Sequence, residues 1–583
     1  MADFRIKTPH AAILVWNYVD RIVAPKGDAQ DSGVKDLHSV EKSDSIPVII
    51  STLSCISIQT NKAKGAPDGT FQLVLAPFKN WVSNLTAGSW CCILMSTEPI
   101  SEKDITKRAN KKHVKMIGKI ESVRCETQMA EDGSRRTLYY VSGIDWGHIF
   151  NSTLYVDNLL ASKNDPENQG NSAAVALRNA LFVDGSPKSF AVKDNLHSIL
   201  GIFGKKLGGF SDAGTETNRL ANSIYSFNMP QAMIDYFDFR NASNAKVTSK
   251  RINDFLTLRT GSLTGKNKYK DTQEARGYIN PFSLQGTHSV WQILLENSNP
   301  ALNEMFCDLS WNDSDNGLNL TLYNRIRPFS YKGFSMSAGA SGDLRSYFQY
   351  IKTHTLDSSS VVSVNAGTNW RDKFNFVEIK PQFQDFVVIA NWYKQKSQVF
   401  DAKAFEREGF RPLIFDTKQF PSAKTSAGAS DGTDIDWSQL TVWAKLLREW
   451  YFDTHRMLNG TIVVQGIDGY IGVGDNIQFE AELINPTPNM NSGTVKKNTA
   501  GNIMAHVESI SHNFTVSDDG ARSFRTTINF VRGIVVNNNG ELLGDGLMDQ
   551  YASATSQSQD RNTNNVISTS GTQDPDPQKV RGK

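Results

Sequence analysis

The chain has 583 residues, enough at roughly 150 residues per domain for about four compact units, which excludes a single small module. Hydrophobic residues make up 39%, charged residues 21% and aromatic residues 10%, which supplies several buried cores and excludes a mostly disordered chain. With 62 Lys and Arg against 60 Asp and Glu the net charge is +2, so no whole-molecule field draws the chain onto nucleic acid or an anionic membrane.

In chain order, Thr8-Pro9 can start a helix in which Val15, Val19, Ile22 and Val23 share a face. The apolar run Ala11 to Trp16 is too short for a signal-peptide core or a membrane span. Synthesis in a reducing cytoplasm and no stable membrane insertion are the expectation. Polar residues up to Ser45 complete an N-terminal arm and linker, 1–45. Residues 46–146 carry short β-branched and aromatic runs separated by turn signals, which predicts a first antiparallel β-barrel. Its loop from Lys103 to Lys115 is rich in lysine and reads as a solvated hairpin tip. Residues 147–300 read as an α+β domain with long loops, and helical spacing returns at Ser289 to Asn297 and at Ala301 to Phe306. A helix capped by Asp436 carries Leu440, Trp443, Leu447, Trp450 and Tyr451 at three- and four-residue steps. Beyond Leu547 large apolar residues almost vanish, which predicts a flexible C-terminal tail within 536–583.

An internal repeat organises this pattern. Ile120-Glu121-Ser122-Val123 matches Val507-Glu508-Ser509-Ile510, Asp132-Gly133 matches Asp519-Gly520, and Arg135 matches Arg522, all at one constant offset. Each copy reads as strand, Asp-Gly hairpin turn and strand. Gly88 before Trp90 matches Gly474 before Ile477, one residue off that offset. The fold class is therefore read as α+β and multidomain, with two homologous antiparallel β-barrels and α/β insertions. The second barrel is discontinuous, 301–332 and 460–535, around a mainly helical insertion, 333–459. A chain that presents the same surface twice around an axis suits a ring.

The sequence carries few chemical motifs. Cys91 and Cys92 are adjacent in a strand and read as small half-buried side chains, and no pair among the five cysteines has C-x-x-C spacing. His506, Glu508 and His512 fall on one face of a strand, but the two imidazoles lie about 20 Å apart by the standard rise, too far for one ion. Gly261-Ser-Leu-Thr-Gly265-Lys266 is one residue short of a phosphate loop, and Gly472-Val473-Gly474 lacks the third glycine of a dinucleotide turn. Catalytic carboxylate pairs have no fixed sequence spacing; Glu304 and Asp308 would share a face if a helix ran that far, and read as surface or ion-paired residues at a helix end. No catalytic, cofactor or metal residue is assigned.

Several segments in succession resemble the central baseplate hub of contractile-tailed bacteriophages, the broad family of late control protein D and the N-terminal part of VgrG spikes. They are Asn303-Glu304-Met305-Phe306-Cys307-Asp308-Leu309, Leu320 to Arg325 with Arg327-Pro328-Phe329, Arg411-Pro412, Trp450, Gly460-Thr461-Ile462, Val473-Gly474-Asp475, and Val507 to His512 with Arg532-Gly533. The resemblance implies tail-tube-like barrels and a homotrimer whose two barrels per chain match a sixfold tube above and a threefold spike below. It also implies a non-enzymatic virion component, assembled in the host cytoplasm. Its partners would be the central spike, the tail tube or tube initiator, baseplate wedges and the tape measure protein, with DNA passing through unread. Two readings from other classes stand beside it: a tail-associated peptidoglycan hydrolase with carboxylates in residues 150–285, and a receptor- or glycan-binding tail protein.

Overall fold

A computed structural model of the chain describes, in the main, residues 8–17, 47–100, 111–129, 135–152, 229–241, 286–311, 317–327, 351–381, 398–417, 437–484 and 501–537, with shorter pieces between them. Strand pairing is mostly antiparallel and the helices are few. The first β unit comprises β1 (His10–Trp16), β2 (Val48–Ser51), β3 (Cys55–Ala63), β4 (Thr70–Leu75), β5 (Trp90–Ser96), β6 (Val114–Met129) and β7 (Arg135–Asp145), in the spatial order β3-β4-β7-β6-β5-β1-β2. Two strands that follow, β8 (Asn303–Trp311) and β9 (Leu318–Ile326), pair with each other, and β9 also pairs in parallel with Leu256–Gly261. The second unit comprises β10 (Thr353–Thr355), β11 (Val361–Gly367), β12 (Leu458–Gln465), β13 (Asn476–Glu480), β14 (Asn502–Val516) and β15 (Arg522–Val536), in the order β11-β12-β15-β14-β13-β10.

The two units repeat in register. Strands β3, β4, β7, β6 and β5 occupy the places of β11, β12, β15, β14 and β13. Each opens on a short 3-10 turn, Thr52–Ser54 or Ser358–Ser360, followed by a bulge at Ile56 or Val362. The long hairpins carry a second bulge at Glu121 in β6 and at Glu508 in β14. Gly133 and Gly520 turn them at φ 77° and 81°, angles that glycine adopts without penalty. Even the approach of the preceding loop recurs: the amide of Gly88 donates to Ile120 O at 2.7 Å, and that of Gly474 to Val507 O at 2.9 Å. The topology departs at one place, where the antiparallel β1 lies beside β5 and the parallel β10 lies beside β13.

Several expectations about the elements differ from the structure. His10–Trp16 is a strand: its uninterrupted apolar run is buried on both faces between β2 and β5, where a one-faced helix would leave half of it in water. Asn303–Trp311 is also a strand, because nine residues pair with β9 and that ladder outweighs local helix propensity. Leu318–Ile326 belongs with it, so the second unit begins in β10 and β11, inside the segment read as a helical insertion. Finally, the expected barrels do not close among the described residues. The strand that would close the first unit, β3, is bonded to β14, and the two units form one open 13-stranded sheet.

Two helices follow their sequence signals. Val290–Glu296 starts on a capping box between Ser289 and Gln292, and Trp437–Tyr451 buries Trp443, Leu447 and Trp450. Both pack into a core shared by β8, β9 and one face of β1 and β5. Cys92 faces that core and Cys91 faces the interior of the first unit, and both are fully buried, not half-buried. No helix among the described residues is long and apolar enough to cross a membrane.

Candidate assembly site at the joint between the units

The two units meet along β14 and β3, from Ser509 opposite Ala63 to Thr515 opposite Ser57. Alternation places Ile510, His512 and Phe514 on one face, opposite Lys62, Thr60 and Ile58. Phe514 and its cross-strand partner Phe524 enter the core of the first unit beside Ile58, Leu73 and Val141. His512 is buried there and its Nδ1 lies 2.9 Å from Thr526 Oγ1. Burial, with the Lys115 ammonium adding to it, holds its imidazole well below the usual range, so it is neutral.

At the bulged end of this seam a charge network links three parts of the chain. The Lys64 ammonium, just beyond β3, donates to Glu304 Oε2 at 2.9 Å and to Glu508 Oε1 at 2.6 Å, while its amide donates to Glu508 O. Arg325 Nε donates to Glu304 Oε1 at 2.8 Å, and its Nη2 donates to the carbonyl of Gly474. The guanidinium lies 5.0 Å from the Phe306 ring centre, a cation–π contact. His506 Nε2 lies 3.5 Å from Glu304 Oε2, and its Nδ1 meets Asn476 Oδ1 at 3.0 Å. Burial pushes the Glu304 carboxyl up, yet Lys64, Arg325 and His506 outweigh it and hold the group well below the ordinary range. Burial and Lys64 keep His506 below its ordinary value. Glu304 is thus an ionised acceptor between β3, β9 and β14. Burying charges costs desolvation that offsets their attraction, and removing one member leaves the others uncompensated in a dry interior.

A second cluster lies nearby. Lys62 bonds to Asp145, and Tyr470 bonds to Asp308. Burial, with Asp475 nearby, raises the Asp308 carboxyl to about 7, despite Lys62. Lys115, expected at a solvated tip, is buried as well and donates to the carbonyls of Ile467, Gly469 and Lys112. Burial lowers its ammonium to about 7. Asp468 in the same loop accepts from Ser96 and Thr97, so the loop after β12 is clamped onto β5.

Of the residues singled out by sequence, Glu304, Arg325, Gly474 and Glu508 converge on the network. The others lie around it. Asp475 accepts from the Gly472 amide and lies 2.9 Å from His354 Nε2. Asn303 donates to Ser298 O, and Arg327 to Pro300 O. Gly460 packs against Asn365 O, where a Cβ would collide. Arg532, at φ 58°, donates to Trp450 O at 2.5 Å, and Gly533 pairs with Leu458. Glu121 is exposed at its bulge, and Asp519 binds the amide of Ala521 beside Gly520. Asp132, Pro328 and Phe329 lie outside the described residues. Bulges at Val507/Ser509 and Met504/His506 break the alternation expected of His506, Glu508 and His512, and no group of metal-ligand residues occurs among the described residues. Lys64 and Phe514, a lone lysine and an ordinary strand aromatic, carry no local sequence signal for their places at the joint.

No family model and no curated protein matches this chain. Solved structures similar to it include a tail protein from Neisseria meningitidis MC58, at 13% identity and TM-score 0.37, covering 85% of this chain and 96% of that one. Another is the 43 kDa tail protein of prophage MuSo2 from Shewanella oneidensis, at 12% identity and TM-score 0.36, covering 83% and 95%. A third is the Francisella PdpA-VgrG complex, at 6% identity and TM-score 0.33, covering 91% and 53%.

Proposed function

We propose that the chain is the central hub of a contractile phage-tail baseplate, a homotrimer that joins a sixfold tail tube to a threefold spike. The observation that carries this reading is the duplication: strand order, opening turn, both bulges and the hairpin glycine recur in one chain. Three such chains present six equivalent β units around an axis while everything outside the repeat keeps threefold symmetry. The buried network at Glu304 serves this role by fixing the second unit against the first, so that the spacing of the repeats is set within each subunit. In this reading the chain performs no chemistry. It nucleates the tube, contacts wedges and spike, and leaves a passage for tape measure protein and DNA.

Mass measurement in solution, with the chain alone and with a trimeric spike protein, tests the proposal. Three copies are expected, at least with the spike present. A chain that stays monomeric in both conditions would overturn it. So would lysis of cell-wall material by the purified protein that one carboxylate substitution abolishes.

A further inference from the structure

The joint inside the chain is a template for one that the chain leaves unmade. In β14 the proximal half pairs with β13 and the distal half with β3. In β6 the proximal half pairs with β5, but among the described strands the distal half pairs only with β7. From Arg124 to Met129 this arm is exposed on both faces and Val123 is half-buried, whereas the positions equivalent to Val123, Cys125 and Thr127, namely Ile510, His512 and Phe514, are buried. The repeat of β3 shows the matching vacancy: β11 pairs with β12 and with no other described strand. Its Val364 and Ala366 are half-buried, where Ile58 and Thr60 are at 0% and 1% exposure. An unpaired strand edge is a row of unmatched donors and acceptors that favours another strand.

We infer that the Ser122–Gln128 edge of one chain takes the Ser363–Asn369 segment of a second copy as an antiparallel neighbour, in the register of the internal joint. The bulges fix the correspondence of β6 with β14 and of β11 with β3. Transferring the pairs of β14 and β3 sets Ser122 opposite Asn369, Cys125 opposite Ala366, Thr127 opposite Val364 and Gln128 opposite Ser363. Val123, Cys125 and Thr127 then meet Thr368, Ala366 and Val364 on the face that is buried at the internal joint. A slip of one residue would turn that face to water. The two edges are different surfaces of one chain, so the contact is head-to-tail and makes a ring or a filament. Closure at three rests on the hub reading; the pairing does not.

Cys125 makes the register measurable. It is an exposed free thiol, and the other four cysteines are buried. Opposed residues of an antiparallel pair have Cα atoms about 4.5–5.5 Å apart, within the range a disulfide spans. The full-length A366C chain, oxidised with glutathione disulfide, is expected to give linked dimers and trimers on non-reducing gels. These bands should disappear on reduction and in C125S/A366C, and should be absent from G367C, whose thiol faces the other side. In a C125S background the E126C/N365C pair changes only exposed polar positions and should link the same way. A chain that is trimeric by mass but stays unlinked in both designs overturns the register and leaves the hub reading intact. Ladders running beyond three support the edge pairing and overturn threefold closure. A chain with neither trimers nor links overturns both.

Discussion

Beyond the bulge at Glu508 the second hairpin runs into the first unit and buries Ile510, His512 and Phe514; beyond the bulge at Glu121 the outgoing strand of the first hairpin is exposed from Arg124 to Met129. The backbone is the same in both, and the side chains differ in the direction that exposure requires. The aromatic pair Phe514 and Phe524 is replaced by Thr127 and Thr137, whose hydroxyls lie 3.1 Å apart, and the buried His512 is replaced by Cys125. One hairpin is therefore built for a joint within the chain, and the other carries side chains that suit exposure to water. The buried charges follow the same division, because Glu508 bonds to Lys64 while Glu121 is exposed at its bulge.

This contrast can be broken most forcefully at Glu304. E304A leaves Lys64, Arg325 and His506 facing one another in a dry site, and should cost about 3–5 kcal/mol in denaturant unfolding. R124A on the bare arm should stay within about 0.5 kcal/mol. Next in size, F514T makes the internal joint resemble the external edge and should cost about 3 kcal/mol. The reverse change, T127F/T137F, should leave unfolding of the single chain nearly unaltered and raise the trimer fraction at a given concentration, read by sedimentation.

The Asp308 carboxyl gives a pH-dependent test near the joint. Its folded-state value of about 7 lies above the ordinary 3.8, so between these values the folded chain holds a proton that the unfolded chain has released. That contribution is complete below about pH 4 and is lost as pH rises to about 7, at no more than about 1.4 kcal/mol per pH unit. D308N should remove this decline from a series of denaturant curves. Lys115 acts with the opposite sign: its lowered value makes stability rise with pH from about 7 towards 10.5. A further comparison uses equivalent glycines. G474A places a Cβ 2.5 Å from Phe306 Cζ at φ 83°, whereas G88A at φ 87° meets nothing within 4 Å. The first should cost about 2 kcal/mol and the second about 1 kcal/mol, the backbone penalty alone.

The long hairpins were legible in the sequence because they keep what their turns and bulges demand: Asp-Gly at the tip, Glu121 and Glu508 at the kink, and Arg135 and Arg522 at the start of the return strand. Their partners were not. Cys55–Ala63 and Val361–Gly367 hold the same place with almost no shared residues, since a strand needs alternation and not identity. Asn303–Trp311 misled for a related reason: Glu, Met and Leu favour a helix locally, and only pairing with Leu318–Ile326 decides otherwise. At the joint, the family resemblance marked Glu304, Arg325, Gly474 and Glu508 as separate motifs. Their meeting around Lys64 depends on contacts between segments distant in sequence, which no local pattern carries.

In the proposed hub, six β units from three chains lie alternately about one axis. Rotational analysis of end-on electron-microscope images of the assembled particle tests it most directly. A sixfold ring of β density at the pore with threefold density outside it is expected; a ring of any other order, or no common pore, overturns the hub proposal.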